Sequence, residues 1–79
     1  MVGLQVVIQT LKHRRLLGQN IRAYRKQANL SQEELAEKAD LHPGYLSVVE
    51  RGAKTISVDA LIRIATALKV RLRDLVDDL

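Results

Sequence analysis

Apolar residues recur every three or four positions in five separate segments of the chain, and this spacing predicts five helices. The stripes are Leu17, Ile21, Tyr24 and Ala28; Leu35, Ala36 and Ala39; Leu46 and Val49; Leu61, Ile64, Ala65 and Leu68; and Leu72, Leu75, Val76 and Leu79. We expect the first helix to begin near Leu16 and to end at about Gln27. The predicted fold class is therefore all-α, with five helices around one small core.

The segment from Val2 to Leu11 fits two different patterns. An alternating set, typical of a strand with one apolar face, comprises Val2, Leu4, Val6 and Ile8, whereas Leu4, Val7, Ile8 and Leu11 have helical spacing. β-Branched residues favour the strand, so we expect a strand here, with extra helical turns as the alternative. Residues 1–12 are thus predicted to be an appendage, and residues 13–79 to form the domain.

Local signals divide the segment between Ser31 and Gly52 into two short helices. Ser31 and Glu34 have the S-x-x-E spacing of a capping box, which predicts a helix start. The stretch Asp40-Leu41-His42 is short enough for a tight turn, and Pro43 suits the first position of the next helix. Gly52 is the expected left-handed terminator. Two short helices joined by such a turn are a helix-turn-helix, a unit that commonly reads DNA.

Three segments of the chain resemble the Cro/lambda-repressor type, or XRE-like, helix-turn-helix family. They are L-S-Q-E-E-L-A-E-K-A, Y-L-S-V-V-E-R-G and L-I-R-I-A-T-A-L-K-V, and the resemblance extends from roughly Leu17 to Leu75. It implies a compact five-helix DNA-binding domain in which Gln32 bonds a phosphate and Arg25 is the characteristic arginine of the first helix. His42 and Asp40 depart from the family, which usually has a small capping residue and a glycine there; the capping role of His42 is therefore open.

Helical geometry assigns directions to the side chains of the second motif helix. If Leu46 and Val49 point inward, Glu50 also lies close to the inward side, and we predict that it pairs with Arg25. The opposite side is a candidate for the major groove, and Val48 there can offer only apolar contact to a thymine methyl. With the adjoining loop, the predicted DNA-contacting residues are Gln32, His42, Pro43, Gly44, Tyr45, Ser47, Val48, Arg51, Lys54 and Thr55. Few of them discriminate bases by hydrogen bonding, so we expect DNA shape and backbone contacts to contribute to sequence preference.

The charge distribution suits a polyanionic partner. The net charge is +4, six basic residues precede the first acid at Glu33, and acidic residues gather near the carboxyl terminus. The chain has no cysteine, no nucleophile–base pair, no glycine-rich phosphate loop, no apolar run long enough to span a membrane and no secretory signal pattern. We therefore expect a cytoplasmic non-enzyme with no metal, cofactor, membrane partner or small-molecule ligand.

The sequence as a whole predicts a double-stranded DNA-binding transcriptional regulator that acts as a homodimer on a two-fold operator. Dimer contacts are expected from the appendage, through Val2, Leu4, Val6 and Ile8, and from the last helix, through Leu72, Leu75, Val76 and Leu79. A restriction–modification controller, a phage-type repressor, an antitoxin-like autoregulator and a general regulator all fit. The alternative from another class is a protein-interaction adaptor, or an antitoxin-like partner-binding protein, with the same fold.

Overall fold

Five helices account for most of the chain in the computed structural model, which describes residues 2–79. They are α1 (Val2–Gln27), α2 (Gln32–Ala39), α3 (Pro43–Glu50), α4 (Val58–Leu68) and α5 (Leu72–Val76). No strand occurs among the residues described. The all-α, five-helix prediction is confirmed.

The amino-terminal segment is helical, and the expectation of a strand there was wrong. So was the expected helix start near Leu16, because α1 runs without interruption from Val2 to Gln27. Once the segment after Leu16 is helical, each preceding residue adds a hydrogen bond without a new nucleation step, whereas a lone strand would leave its edge unpaired. The expected boundary after residue 12 lies inside this helix, and Met1 lies outside the described residues.

The predicted capping box begins α2. Ser31 Oγ accepts a hydrogen bond from the Glu34 N–H at 3.0 Å, and Glu34 Oε1 accepts one from the Ser31 N–H at 2.9 Å. The backbone hydrogen bond from Ser31, and then the one with its side chain, lower the pKa of the Glu34 carboxyl. Because this pKa is lowered, the stabilisation is present above the ordinary pKa of a glutamate and is lost as the pH falls through the lowered value. Asp40 ends α2 at φ 55°, in the left-handed conformation expected of it.

Side chains from all five helices share one core. Its members are Leu17, Ile21, Leu35, Ala36, Ala39, Leu46, Val49, Ile64, Ala65, Leu68 and Leu75. Leu75 is 0% exposed, so it belongs to the core of the single chain and is not available at a dimer interface, contrary to its predicted role. Val76 is half-buried against the core, while Leu72 and Leu79 remain exposed.

Two glycines allow α1 and the end of α3 to come into close contact. A Cβ on buried Gly18 would lie 2.5 Å from the carbonyl oxygens of Val49 and Glu50. A Cβ on Gly52, whose φ is 71°, would lie 2.7 Å from the Cα of Arg15. The obstructing atoms are all backbone, which cannot move aside as a flexible side chain can. Small residues at these two positions therefore set the distance between α1 and α3.

Gly18→Ala is expected to lower the free energy of unfolding by at least about 1–3 kcal/mol, because the added methyl group forces the two helices apart. Gly3→Ala is the matched control: it lies in the same helix, and no atom lies within 4 Å of the place that its methyl group would occupy. It should leave stability unchanged or raise it by up to about 1 kcal/mol, the usual preference for alanine within a helix. Urea unfolding measures both, and equal midpoints for the two variants would contradict the proposed constraint.

Candidate nucleic-acid interface

A buried ion pair joins α1 to α3. Arg25 Nε donates to Glu50 Oε2 at 2.7 Å, and Arg25 Nη2 donates to Glu50 Oε1 at 3.0 Å. The two residues are only 8% and 6% exposed, and Arg25 Nη1 also donates to the carbonyl oxygen of Leu30 at 2.8 Å. The predicted pair is therefore present, in the two-pronged geometry that a guanidinium and a carboxylate favour.

Gln32 connects α2 to the same carboxylate. Its Nε2 donates to Glu50 Oε1 at 3.0 Å, so a single carboxylate links three helices. Sequence reasoning missed this contact because it assigned Gln32 only to a phosphate. The two roles are compatible, since the side-chain amide carries two hydrogens and Glu50 accepts only one of them.

The amino terminus of α3 is capped by an imidazole. His42 Nδ1 accepts a hydrogen bond from the Gly44 N–H at 2.9 Å, and Pro43 occupies the first turn, where its missing N–H costs nothing. The capping role that the sequence left open is therefore filled: His42 supplies the acceptor that a smaller residue supplies elsewhere in the family. His42, Pro43 and Gly44 are all exposed.

The remaining predicted contact residues lie along α3 and the loop that follows it. Arg51, Lys54 and Thr55 are exposed, and Ser47 and Val48 are half-buried. The Tyr45 hydroxyl accepts a long hydrogen bond, 3.4 Å, from the Ser57 N–H, which joins α3 to the start of α4. Leu46 and Val49 are buried, as the helical geometry required, so the opposite side of α3 faces outward.

Several acidic residues lie away from this outward side of α3, although Asp40 and Asp59 line a surface depression together with His42 and Tyr45. Asp78, near the carboxyl terminus, accepts a hydrogen bond from Asn20 Nδ2 at 2.7 Å, and the same nitrogen donates to the carbonyl oxygen of Leu75 at 2.9 Å. Asn20 is two residues from Gly18 and hence roughly 160° around α1 from the side that contacts α3. On α2 the exposed glutamates occupy the side opposite its buried residues. Asp78 and the glutamates of α2 therefore do not oppose an anion that approaches the outward side of α3.

Residues 2–79 contain neither a metal cluster nor a membrane-spanning helix. No group of three or more histidine, cysteine, aspartate or glutamate side chains in this range could hold a metal ion. No helix in this part of the chain combines the length and apolar character needed to cross a membrane.

A short helix held outward by a capped start, a tight preceding turn and a buried ion pair defines a DNA-binding helix-turn-helix domain of the lambda-repressor type. The chain belongs to the helix-turn-helix family, whose family model matches residues 21–75. Its relatives are transcriptional regulators and control proteins. The resemblance noted from the sequence is thereby confirmed.

Three similar proteins illustrate this membership. The control protein C.BamHI of Bacillus amyloliquefaciens is 45% identical over 81% of this chain and 80% of its own length. The restriction-modification controller protein C.AhdI of Aeromonas hydrophila has a crystal structure that matches with a TM-score of 0.77 and 37% identity, over 78% of this chain and 94% of that one. SinR, the master regulator for biofilm formation, was crystallised with DNA; that structure matches with a TM-score of 0.72 and 38% identity, over 75% of this chain and 95% of the crystallised one. The SinR of Bacillus subtilis is longer, and the match spans 58% of it.

Glu50→Ala is expected to lower the free energy of unfolding by about 3–5 kcal/mol, because it leaves the buried Arg25 guanidinium without its counter-charge. The loss should be at the upper end of this range, since Gln32 loses a partner as well. Glu37→Ala, at an exposed position of α2, is the control and should change stability by no more than about 0.5 kcal/mol. Thermal and urea unfolding measure both, and a Glu50→Ala protein as stable as the control would show that the pair does not hold α3.

Proposed function

We propose that this chain is a sequence-specific double-stranded DNA-binding transcriptional regulator that acts in the cytoplasm as a homodimer on a two-fold operator. The observation that supports the proposal is the way in which the rest of the domain holds α3 with one side exposed. Its inner side is buried, its start is capped, and the Arg25–Glu50 pair fixes it to α1 while the other side faces outward. Such a helix can enter the major groove without deforming the core that supports it.

Base reading is assigned to the outward side of α3. The Ser47 hydroxyl can donate to or accept from a base edge, and Val48 can contact a thymine methyl. Gly44 has no side chain and lets the helix approach the DNA closely. Because this set discriminates bases weakly, sequence-dependent groove shape and deformability supply part of the preference.

Phosphate contacts are assigned to groups on either side of α3. The second amide hydrogen of Gln32 is free of Glu50. His42 uses Nδ1 as its capping acceptor, so in the neutral ring the proton is on Nε2, which can donate to a phosphate. Arg51, Lys54 and Thr55 are exposed and can reach the backbone of the same duplex. These contacts set the position of α3 and carry no sequence information themselves.

A homodimer follows from the small reach of one recognition helix. A single α3 covers only a few base pairs, and a two-fold axis places two such helices about 34–36 Å apart, one turn of DNA. Exposed Leu72 on α5 and exposed Leu79, which follows the helix, lie near half-buried Val76 along the chain and are offered for a contact between copies. Leu75 has no part in it because it is buried within its own chain.

Among regulators, the control proteins of restriction–modification systems are the class we favour. The support is the coverage of the matches: C.BamHI and C.AhdI are each matched over most of their length, 80% and 94% respectively. Their names describe those proteins, and we extend the class to this chain as a proposal.

Binding to DNA should weaken steeply as salt concentration rises, because each phosphate contact releases counterions. For a dimer with six to ten phosphate contacts the loss is about 10³–10⁵-fold between 50 and 200 mM salt. Lys54→Ala should make this slope shallower by about one contact per subunit, whereas Lys38→Ala, an exposed lysine on the glutamate side of α2, should not. Mobility shifts on duplexes selected from random oligonucleotides measure the slope. Absence of binding at every salt concentration would instead favour the protein-interaction adaptor.

Gln32→Ala is expected to weaken binding to all duplexes by a similar factor, since a phosphate contact is common to every sequence. Val48→Ala should instead change which base is preferred at one position of each half-site, by reducing the preference for thymine there. Repeating the selection with each variant separates the two effects. If Val48→Ala lowers affinity equally on every sequence, Val48 does not read a base.

A further inference from the structure

Four exposed cations form a single line along α1. They share one side of the helix with Gln19, because the intervals between them keep returning to the same direction, and they are Lys12, Arg15, Arg22 and Lys26. All five residues are exposed. We call these five residues the basic stripe. From its first residue to its last, the basic stripe is about 21 Å long.

The charge of the basic stripe is not neutralised within the described chain. No acidic residue precedes Glu33, and within residues 2–79 the one ion pair joins Arg25 to Glu50, neither of which belongs to the stripe. The exposed side of α2, by contrast, mixes glutamates with Lys38. Like charges three or four residues apart on a helix repel one another. The basic stripe therefore lowers the stability of the free helix, and an anionic partner would relieve the repulsion.

The basic stripe faces the same way as the outward side of α3. Around α1, Gly18 points at α3, and the core residues Leu17 and Ile21 lie about 60–100° to one side of it. The stripe lies about 40–120° to the other side, and hence opposite the core. The outward side of α3 is also turned away from the core, because Leu46 and Val49 occupy its inner side. The two exposed sides are therefore parts of one continuous surface.

Both ends of the basic stripe adjoin groups to which we assign phosphate contacts. Near one end, a Cβ on Gly52 would lie 2.7 Å from the Cα of Arg15, and Gly52 leads into the loop that carries Lys54. Near the other end, Lys26 directly follows the arginine of the buried ion pair, which Gln32 joins through the shared carboxylate. The stripe thus connects the phosphate-contacting groups on the two sides of α3.

We propose that the basic stripe binds the sugar–phosphate backbone of the duplex that α3 reads, at phosphates beyond those contacted by the helix-turn-helix. The inference rests on the proposed function and adds a second set of DNA-binding residues to it. One strand of B-DNA carries about six phosphates over a length of about 21 Å, enough for each cation to hold one. Arg15 and Arg22 can bind a phosphate with two hydrogen bonds, whereas the two lysines act as point charges. The amide of Gln19 can donate to a phosphate between them.

The pattern and the place of the charges select DNA as the partner. Cations that recur regularly, with no apolar residue between them in the stripe, suit an anion whose own charges recur regularly. A helix lying on a membrane would need an exposed apolar side, but the side of α1 opposite the stripe is buried in the core through Leu17 and Ile21. Lys12 and Arg15 precede residues 21–75, which the family model matches. This chain therefore extends its basic surface beyond the part that it shares with the family model.

The test removes two cations at a time. Lys12→Ala/Arg15→Ala and Arg22→Ala/Lys26→Ala each take half of the charge from the basic stripe. The control, Lys38→Ala/Lys69→Gly, takes the same charge from exposed positions outside it. Glycine is chosen for Lys69 because the backbone there is left-handed, at φ 59°. Mobility shifts of the full chain on the selected operator, with long flanks on both sides, are measured between 50 and 200 mM salt.

Each stripe variant should lose about two phosphate contacts per subunit. The slope of log affinity against log salt should become shallower by about 1.8 per subunit, so that a fourfold rise in salt weakens the variant about twelvefold less than the wild type. The control, and Lys12→Arg/Arg15→Lys, which keeps both charges, should retain the wild-type slope. The base preference found by selection should be the same for all these proteins, because phosphates carry no sequence information. Ethylation of particular phosphates should interfere with binding of the wild type and no longer with binding of a stripe variant.

The proposal would be overturned by stripe variants that keep the wild-type slope, by a control that loses as much slope as they do, or by identical ethylation interference for all proteins. Stripe variants that bind the operator as the wild type does but no longer bind polyglutamate would assign the stripe to an acidic protein instead. In each of these cases the wild type still binds its operator, and the proposed function stands. A wild type that binds no duplex would contradict the proposed function and this inference together.

Discussion

The orientation of α3 on the domain depends on the contact between the Arg25 guanidinium and the Glu50 carboxylate. α3 has eight residues, and Leu46 and Val49 are its only fully buried apolar side chains, so a helix this short needs further contacts to fix its orientation. Removing the two charges from water costs about as much as their attraction returns. We infer that the pair contributes orientation more than net stability: its two-pronged geometry, with Gln32 on the same carboxylate, permits one arrangement of three helices.

The departures of this chain from its family are each met by local chemistry. His42 caps α3 with a ring nitrogen where a hydroxyl is usual, and the larger ring leaves a second nitrogen free on the exposed side. Asp40 adopts the left-handed conformation that a glycine would adopt more easily, at a modest cost. The turn and the start of α3 therefore keep the geometry of the family although the residues differ.

Those parts of the structure that depend on local chemistry could be predicted from the sequence. The capping box at Ser31, the left-handed Asp40 and the inward direction of Glu50 all follow from spacing and conformational preference. The helical state of residues 2–11 could not be predicted in this way, because Val2 to Leu11 satisfies the strand and helix periods equally well and its continuity with α1 decides the outcome. Leu75 was misassigned for a related reason: helical spacing identifies an apolar side, but whether that side faces the core or another copy depends on tertiary packing. The same holds for Gly18, whose role emerges only when α3 is placed beside it.

The continuity of α1 has a mechanical consequence for an assembled regulator. One uninterrupted helix carries the exposed residues 2–11 at one end and, beyond Gly18, supports α3 and holds Arg25. A contact made by residues 2–11 would therefore act on the support of α3 through a continuous helix. Because a helix transmits orientation along its length, such a contact would constrain the direction in which α3 faces. A flexible linker at this place would leave the orientation of the DNA-binding domain unconstrained. Residues 2–11 and the part of α1 that supports α3 belong to the same continuous helix, so the direction of one limits the direction of the other.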